Sequence, residues 1–270
     1  MDIVVDGHKT FCYTGGKAYD AAQPTVLFIH GALNDHSVWI LQTRYLANHG
    51  WNVLAPDLPG HGKSAGDAPR TVEAAAEFVL ALMDTAGLTR VALVGHSFGS
   101  LIALEVAARA GDRVSHLVLA GTAFPMKVSP ALLETSLKEP LKAITMVNVF
   151  SHSMLAPPPS GLGPGTWVYG SSRALMHRVL ASNPLVNLFH TGFKACDDYK
   201  NGETAMQKVH APTLFLLGKR DQMTPAKAAQ PLISKAVNGK VVTIDAGHQM
   251  MLEAPDAVLF AIRDFLMTAP

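Results

Sequence analysis

At 270 residues, 49% apolar and 16% charged, the chain can build one large α/β domain, or a core with an inserted subdomain, and is too apolar to be disordered. Twenty-two basic residues against 21 acidic ones give a net charge of +1 with no basic run or stripe, which argues against a nucleic-acid partner. No apolar run approaches the ~18 residues of a membrane span, so no membrane partner is expected either.

From the N-terminus, Ile3 to Val5 and Phe11 to Thr14 flank Asp6-Gly7, the pattern of an antiparallel hairpin. Thr25 to His30 is a continuous apolar run, which implies a strand covered on both faces, as in a parallel sheet between helix layers. The pattern then predicts a helix over 38–49, a strand over 51–55 and a helix over 71–86. That helix has Thr71 as N-cap, Glu73 in its first turn and Gly87 after its end. A strand from Val91 into the Gly95 turn follows, then strands at 114–120, 213–217 and 241–244. Thr224 and Pro225 read as the cap and first residue of a helix between the last two strands, bent or ended by Pro231. A final helix is expected over 255–267. Strand–helix alternation implies a mostly parallel eight-stranded sheet flanked by helices.

Residues 124–209 break the alternation. They offer helical patterns at 129–149, 171–181 and 185–195 around an irregular Pro/Gly stretch at 157–165. They read as a helical cap, with 157–165 a candidate mobile lid, inserted into a core of 1–123 and 210–270.

Chemistry gathers where strands end. Gly95-His96-Ser97-Phe98-Gly99 lies between an apolar strand and a helix. The turn there is too sharp for side chains at its first and fifth positions, and it lifts the serine hydroxyl above the sheet at a helix N-terminus. A serine needs a base, and the base an orienting acid. Asp221 follows the 213–217 strand and His248 the 241–244 strand, so Ser97, Asp221 and His248 form the expected triad. Asp245 is a rival acid, and Asp57 reads as a turn residue. Oxyanion N–H groups are expected from Phe98 and from Ala32, with Leu33 the rival. His30 reads as a structural residue of that loop; Asn34, His36 and Trp39 either face the site or pack the loop. The 12 histidines show no metal-ligand spacing. No metal is therefore expected. Cys12 and Cys196 are expected as reduced thiols, with one disulfide as the alternative. Residues 1–6 carry no secretory pattern, so the expected compartment is the cytoplasm.

These motifs, with Asp57-Leu58-Pro59-Gly60-His61-Gly62-Lys63-Ser64, Gly218-Lys219-Arg220-Asp221 and Glu253-Ala254-Pro255, closely resemble the α/β-hydrolase fold superfamily. The resemblance implies a cofactor-free hydrolase of a small molecule. Family branches with an aspartate nucleophile do not fit Ser97. Ring-cleavage C–C hydrolases and hydroxynitrile lyases usually carry Trp or Lys where this chain has Gln249. The leading expectation is hydrolysis of a small or medium carboxylic ester through an acyl-enzyme. The alternatives are a C–C hydrolase of ring-cleavage dienoates using Arg173 or Arg178, a lactonase or perhydrolase, and a ligand receptor that retains the triad. Oligomeric state is not readable.

Overall fold

The computed structural model describes residues 1–153 and 167–268. The stretch 157–165, expected as a lid segment, lies outside the described residues. A hairpin of β1 (Asp2–Val5) and β2 (His8–Tyr13) turns at Asp6 and Gly7, both at positive φ. The chain continues through β3 (Thr25–Ile29), α1 (Ile40–Ala47), β4 (Asn52–Pro56), α2 (Val72–Thr85), β5 (Val91–His96), α3 (Phe98–Ala110) and β6 (Val114–Ala120). Five helices then intervene among the described residues: α4 (Pro130–Lys138), α5 (Pro140–Ser151), α6 (Val168–Ser182), α7 (Leu188–Asp198) and α8 (Gly202–Gln207). The chain returns as β7 (Thr213–Gly218), α9 (Gln230–Ile233), β8 (Gly239–Ile244), α10 (Met250–Glu253) and α11 (Pro255–Leu266).

The eight strands form one mixed sheet in the order β1-β2-β4-β3-β5-β6-β7-β8. β1, β2 and β4 pair antiparallel; every pair from β4 across to β8 is parallel. β3, β4, β5 and β7 are buried along their whole length, as their unbroken apolar runs require when helices cover both faces. α2 starts where Thr71 Oγ1 accepts the Ala74 N–H at 3.1 Å, and it buries Val72, Ala75, Ala76, Val79, Leu82 and Met83. Cys12 on β2 and Cys196 on α7 are free and buried. Among the described residues no helix is long and apolar enough to cross a membrane.

Two helical expectations change. The single helix expected over 129–149 is two, because Pro140 has no N–H to donate and forces Glu139 out of the helical region, to φ −138 and ψ 65. The helix expected after Thr224 is a 3-10 turn (Ala226–Ala229) followed by α9, with Pro231 in the first turn of α9 and not at its end. Thr224 is therefore not a helix cap; its hydroxyl is used in the site below.

One buried charge ties the insertion to the core. Glu105 of α3 is almost fully buried, and its carboxylate accepts both from Asn201 Nδ2 at 3.0 Å, from the Tyr199 hydroxyl at 3.2 Å and from Arg109 at 3.1 Å. Removing it leaves the Tyr199 and Asn201 donors unpaired. Glu105→Ala is expected to cost about 2–4 kcal/mol, measured as a fall in the urea midpoint. A loss below about 0.5 kcal/mol would show that this cluster does not hold the insertion.

Candidate active site

β5 passes into α3 through Ser97, which sits at φ 54 and ψ −121, a conformation side chains rarely adopt. The turn closes because Gly95 and Gly99 are bare. A methyl on Gly95 would lie 2.1 Å from the Gly99 carbonyl oxygen, and one on Gly99 would lie 2.4 Å from the Ile29 oxygen. Both obstacles are backbone and cannot swing away. The Ser97 side chain is thereby lifted off the sheet at the N-terminus of α3. Among the described residues its hydroxyl makes no hydrogen bond, so its proton is uncommitted.

Asp221 lies just beyond β7 and His248 just beyond β8, and their side chains meet: His248 Nδ1 is 2.7 Å from Asp221 Oδ2. An ionised carboxylate only accepts, so Nδ1 carries the proton and Nε2 is bare. Asp221 is fixed in turn. Its Oδ1 accepts the Met223 and Thr224 N–H groups, each at 2.8 Å, and its Oδ2 accepts the Thr224 hydroxyl at 2.7 Å. Burial pushes the Asp221 carboxyl up, but the adjacent His248 ring and these bonds outweigh it and hold the group below its ordinary value. Asp245, the rival acid, pairs instead with Arg220 at 3.2 Å near the surface.

The loop after β3 comes close to Ser97 because Gly31 is bare; a methyl there would lie 3.3 Å from Ser97 Cβ. Ala32 lines the same cavity as Ser97 and His248. Leu33 is fully buried at φ 54 and is not part of that lining. Among the described residues neither the Phe98 nor the Ala32 N–H has a hydrogen-bond acceptor. His30 is structural: Nδ1 lies 2.9 Å from the Gly31 oxygen and Nε2 accepts the Leu58 N–H at 3.0 Å. Of the residues left open in this loop, Asn34 lines the cavity. Trp39 is fully buried and donates to the Ile29 oxygen at 3.3 Å, so it packs the loop.

His36 braces the turn after β4. Asp57 Oδ1 accepts its N–H at 2.8 Å and contacts its Nδ1 at 2.7 Å, while Asp57 Oδ2 accepts the Lys63 N–H. Asp35, His36 and Asp57 bring possible metal-ligand atoms within 4.8 Å of one another. The facing atoms are already engaged, Asp57 and His36 Nδ1 by each other, and Asp35 by Ser37 and by Arg178 at 2.8 Å. The trio therefore reads as a hydrogen-bonded brace.

The cavity spans about 520 Å³ including its mouth. Met126, Val128, Val147, Met176, Phe193 and Met223 give it a mainly apolar wall, most of it from the helical insertion. Lys127 also contributes, but neither Arg173 nor Arg178 does. The insertion grips the His248 loop directly. Ser151 at the end of α5 accepts the Gln249 N–H at 3.0 Å, and Glu253 accepts from the Ser153 N–H at 2.9 Å and the Gly247 N–H at 3.2 Å. The strand-end pattern located Ser97, Asp221 and His248; it carried no sign that the Thr224 hydroxyl would bond Asp221 or that Glu253 would reach Ser153 across 100 residues.

The sequence profile of the alpha/beta hydrolase fold matches residues 24–154. The enol-lactonase from Burkholderia xenovorans LB400 superposes over 99% of this chain and 100% of its own, with a TM-score of 0.84 at 22% identity. The chain has the α/β-hydrolase fold. Among curated relatives of this α/β hydrolase, bovine Protein ABHD8 is 25% identical over 99% of the chain and 61% of its own length. The pimeloyl-[acyl-carrier protein] methyl ester esterase of Neisseria meningitidis serogroup C is 27% identical over 93% of the chain and 96% of its own. The chain spans less than two thirds of the length of the first curated relatives it matches.

A carboxyl whose folded pKa lies below its unfolded value of about 3.9 adds stability above that value and loses the contribution as pH falls through the folded one. The stability gap between wild type and Asp221→Asn is therefore expected to shrink as pH drops from about 6 to about 2, followed by urea titration at each pH. A constant gap would mean that Asp221 is not stabilised as the carboxylate.

Proposed function

We propose that this α/β hydrolase cleaves small or medium carboxylic esters through a serine acyl-enzyme, with Ser97, Asp221 and His248 as its triad. The observation that carries the reading is a strained serine with a free hydroxyl in a cavity shared with a histidine whose Nδ1 is bonded to a buried aspartate. In this mechanism His248 Nε2 takes the Ser97 proton as Oγ attacks the ester carbonyl. Asp221 steadies the imidazolium. The N–H groups of Phe98 and Ala32 receive the oxyanion, and one such donor is typically worth about 3 kcal/mol of barrier. His248 then returns the proton to the leaving alcohol and activates water against the acyl-enzyme. No step calls on a cofactor.

Residues 124–209 act in this reading as the cap over a core of 1–123 and 210–270, and their Met- and Phe-rich wall selects the acyl or alcohol part. The Neisseria relative, named as a methyl ester esterase, supports ester chemistry over nearly the whole chain. The dienoate C–C reading calls on Arg173 or Arg178 to bind a carboxylate. Arg178 is committed to Asp35 and Arg173 lines a separate surface hollow, so the observations favour the ester.

With p-nitrophenyl acetate, butyrate and octanoate, wild type is expected to show a p-nitrophenol burst, and Ser97→Ala to lose at least about a thousandfold in kcat. Turnover surviving in Ser97→Ala would overturn the acyl-enzyme. Phe193 stands in the apolar wall, and each buried methylene is worth about 0.8 kcal/mol. Phe193→Ala is thus expected to raise octanoate turnover over butyrate by about 4- to 15-fold in kcat/KM, the gain from seating one or two further methylenes; an unchanged ratio would place the acyl chain elsewhere.

A further inference from the structure

His96, the residue before Ser97, is titratable, buried and unused in the mechanism above. Its Nε2 lies 3.0 Å from the main-chain oxygen of His248. A carbonyl only accepts, so Nε2 carries the proton and Nδ1 is left as a bare acceptor. Nδ1 is buried and has no partner. An orphaned acceptor is costly in a core, so its persistence here asks for a reason other than stability.

The ring is wedged on every side. Its centroid is 4.7 Å from that of His248, and Trp39 meets it edge-on at 6.3 Å. A methyl on Gly31 would lie 3.1 Å from His96 Nδ1. A methyl on Gly121, at the end of β6, would lie 3.1 Å from His248 Cε1 and 3.3 Å from His96 Cδ2, so the two imidazoles share that bare floor. Asp221 fixes the far edge of the His248 ring, but how far the ring reaches towards Ser97 depends on where its main chain sits. Two of that loop's bonds flank the ring directly: the Gln249 N–H to Ser151 of the insertion, and the His248 oxygen to His96 of the core.

We infer that His96 is a positioning residue that holds the main chain of His248, and with it the base, in register with Ser97 and the loop after β3. The inference rests on the acyl-enzyme reading. It requires a neutral ring, and burial first, then the neighbouring His248, drives the His96 pKa down to about 3, so the ring is neutral around pH 7. His96 touches no reacting atom; its effect passes through the His248 backbone.

The test compares His96→Leu, which fills the space without a donor, with His96→Gln, whose amide nitrogen can reach the same carbonyl. With p-nitrophenyl butyrate, His96→Leu is expected to lose about 30-fold in kcat with KM within about threefold, and its thermal midpoint to stay near wild type. His96→Gln is expected to recover most of the loss. Equal kcat in His96→Leu and wild type overturns the inference, as does a folded His96→Gln no better than His96→Leu. If His96→Leu does not fold, His96→Gln decides alone: it must stay within about fivefold of wild type. Side-chain 15N–1H spectra of His248 read the same point without substrate. One ring species in wild type, and broadened or doubled signals in a donor-less variant, support the inference; unchanged signals in His96→Leu overturn it. Ser97→Ala run in parallel separates the two failures. If it stays active, the acyl-enzyme reading falls and the spectra alone judge His96. If it is inactive while His96→Leu matches wild type, only His96 loses its role.

Discussion

The start of α3 crosses the end of β3 so closely that no side chain fits between the two backbones, and the Ile29 and His30 oxygens occupy the space a methyl on Gly99 would need. That crossing sets the geometry of the whole site. It holds Ser97 in the left-handed region, at a cost of about 1–3 kcal/mol for a residue of this kind, and it brings Gly31 and Ala32 alongside. Such strain persists only where the surroundings over-determine it. Here they do, since β3 and β5 are buried along their full length and pair in register from Val26 with Ala92 to Ile29 with Gly95. The core's apolar burial therefore keeps a hydroxyl in a position that local preference would refuse.

A second constraint joins the pocket wall to the base. Gly247 has no side chain, and a methyl there would lie 2.6 Å from the Ser151 oxygen, so α5 docks against the loop that carries His248. Glu253 completes the joint from α10. On the opposite side, α7 leans on the loop after β3, where a methyl on Gly192 would lie 3.0 Å from the Ala32 side chain. The helices that shape the cavity thus touch the loops on both sides of Ser97, and a change in the packing of the insertion is felt beside Ser97.

Much of this was legible in the chain. Unbroken apolar runs mark the strands buried on both faces, β5 and β7 among them, and parallel strands, the mostly exposed edge strand β8 included, put their following residues at one edge of the sheet, where Ser97, Asp221 and His248 lie. What escaped has a common cause. Pro140 sits in an apolar pattern that runs on as if uninterrupted, so hydrophobic period hides the break that its missing N–H imposes. Thr224 before Pro225 looks like a helix cap by local rule, but Asp221, three residues back, claims its hydroxyl. His96 and Glu253 act on groups brought near only by the fold, across 152 and 100 residues of chain for the two bonds concerned. Local pattern reports propensity and burial; it carries no record of which buried polar groups will meet.

The placement of the insertion has a further consequence. It leaves the core at the end of β6 and rejoins it at β7, and these strands are direct neighbours, paired from Leu117 with Thr213 to Ala120 with Leu216. The β-sheet therefore spans the junction by itself, and no strand register depends on what lies between. A lineage can lengthen, shorten or replace this segment without disturbing the core, provided each version still presents a carbonyl to Gln249 and a partner to Glu253. In such a scaffold the cavity wall can change with the insertion while the residues at the strand ends keep their places.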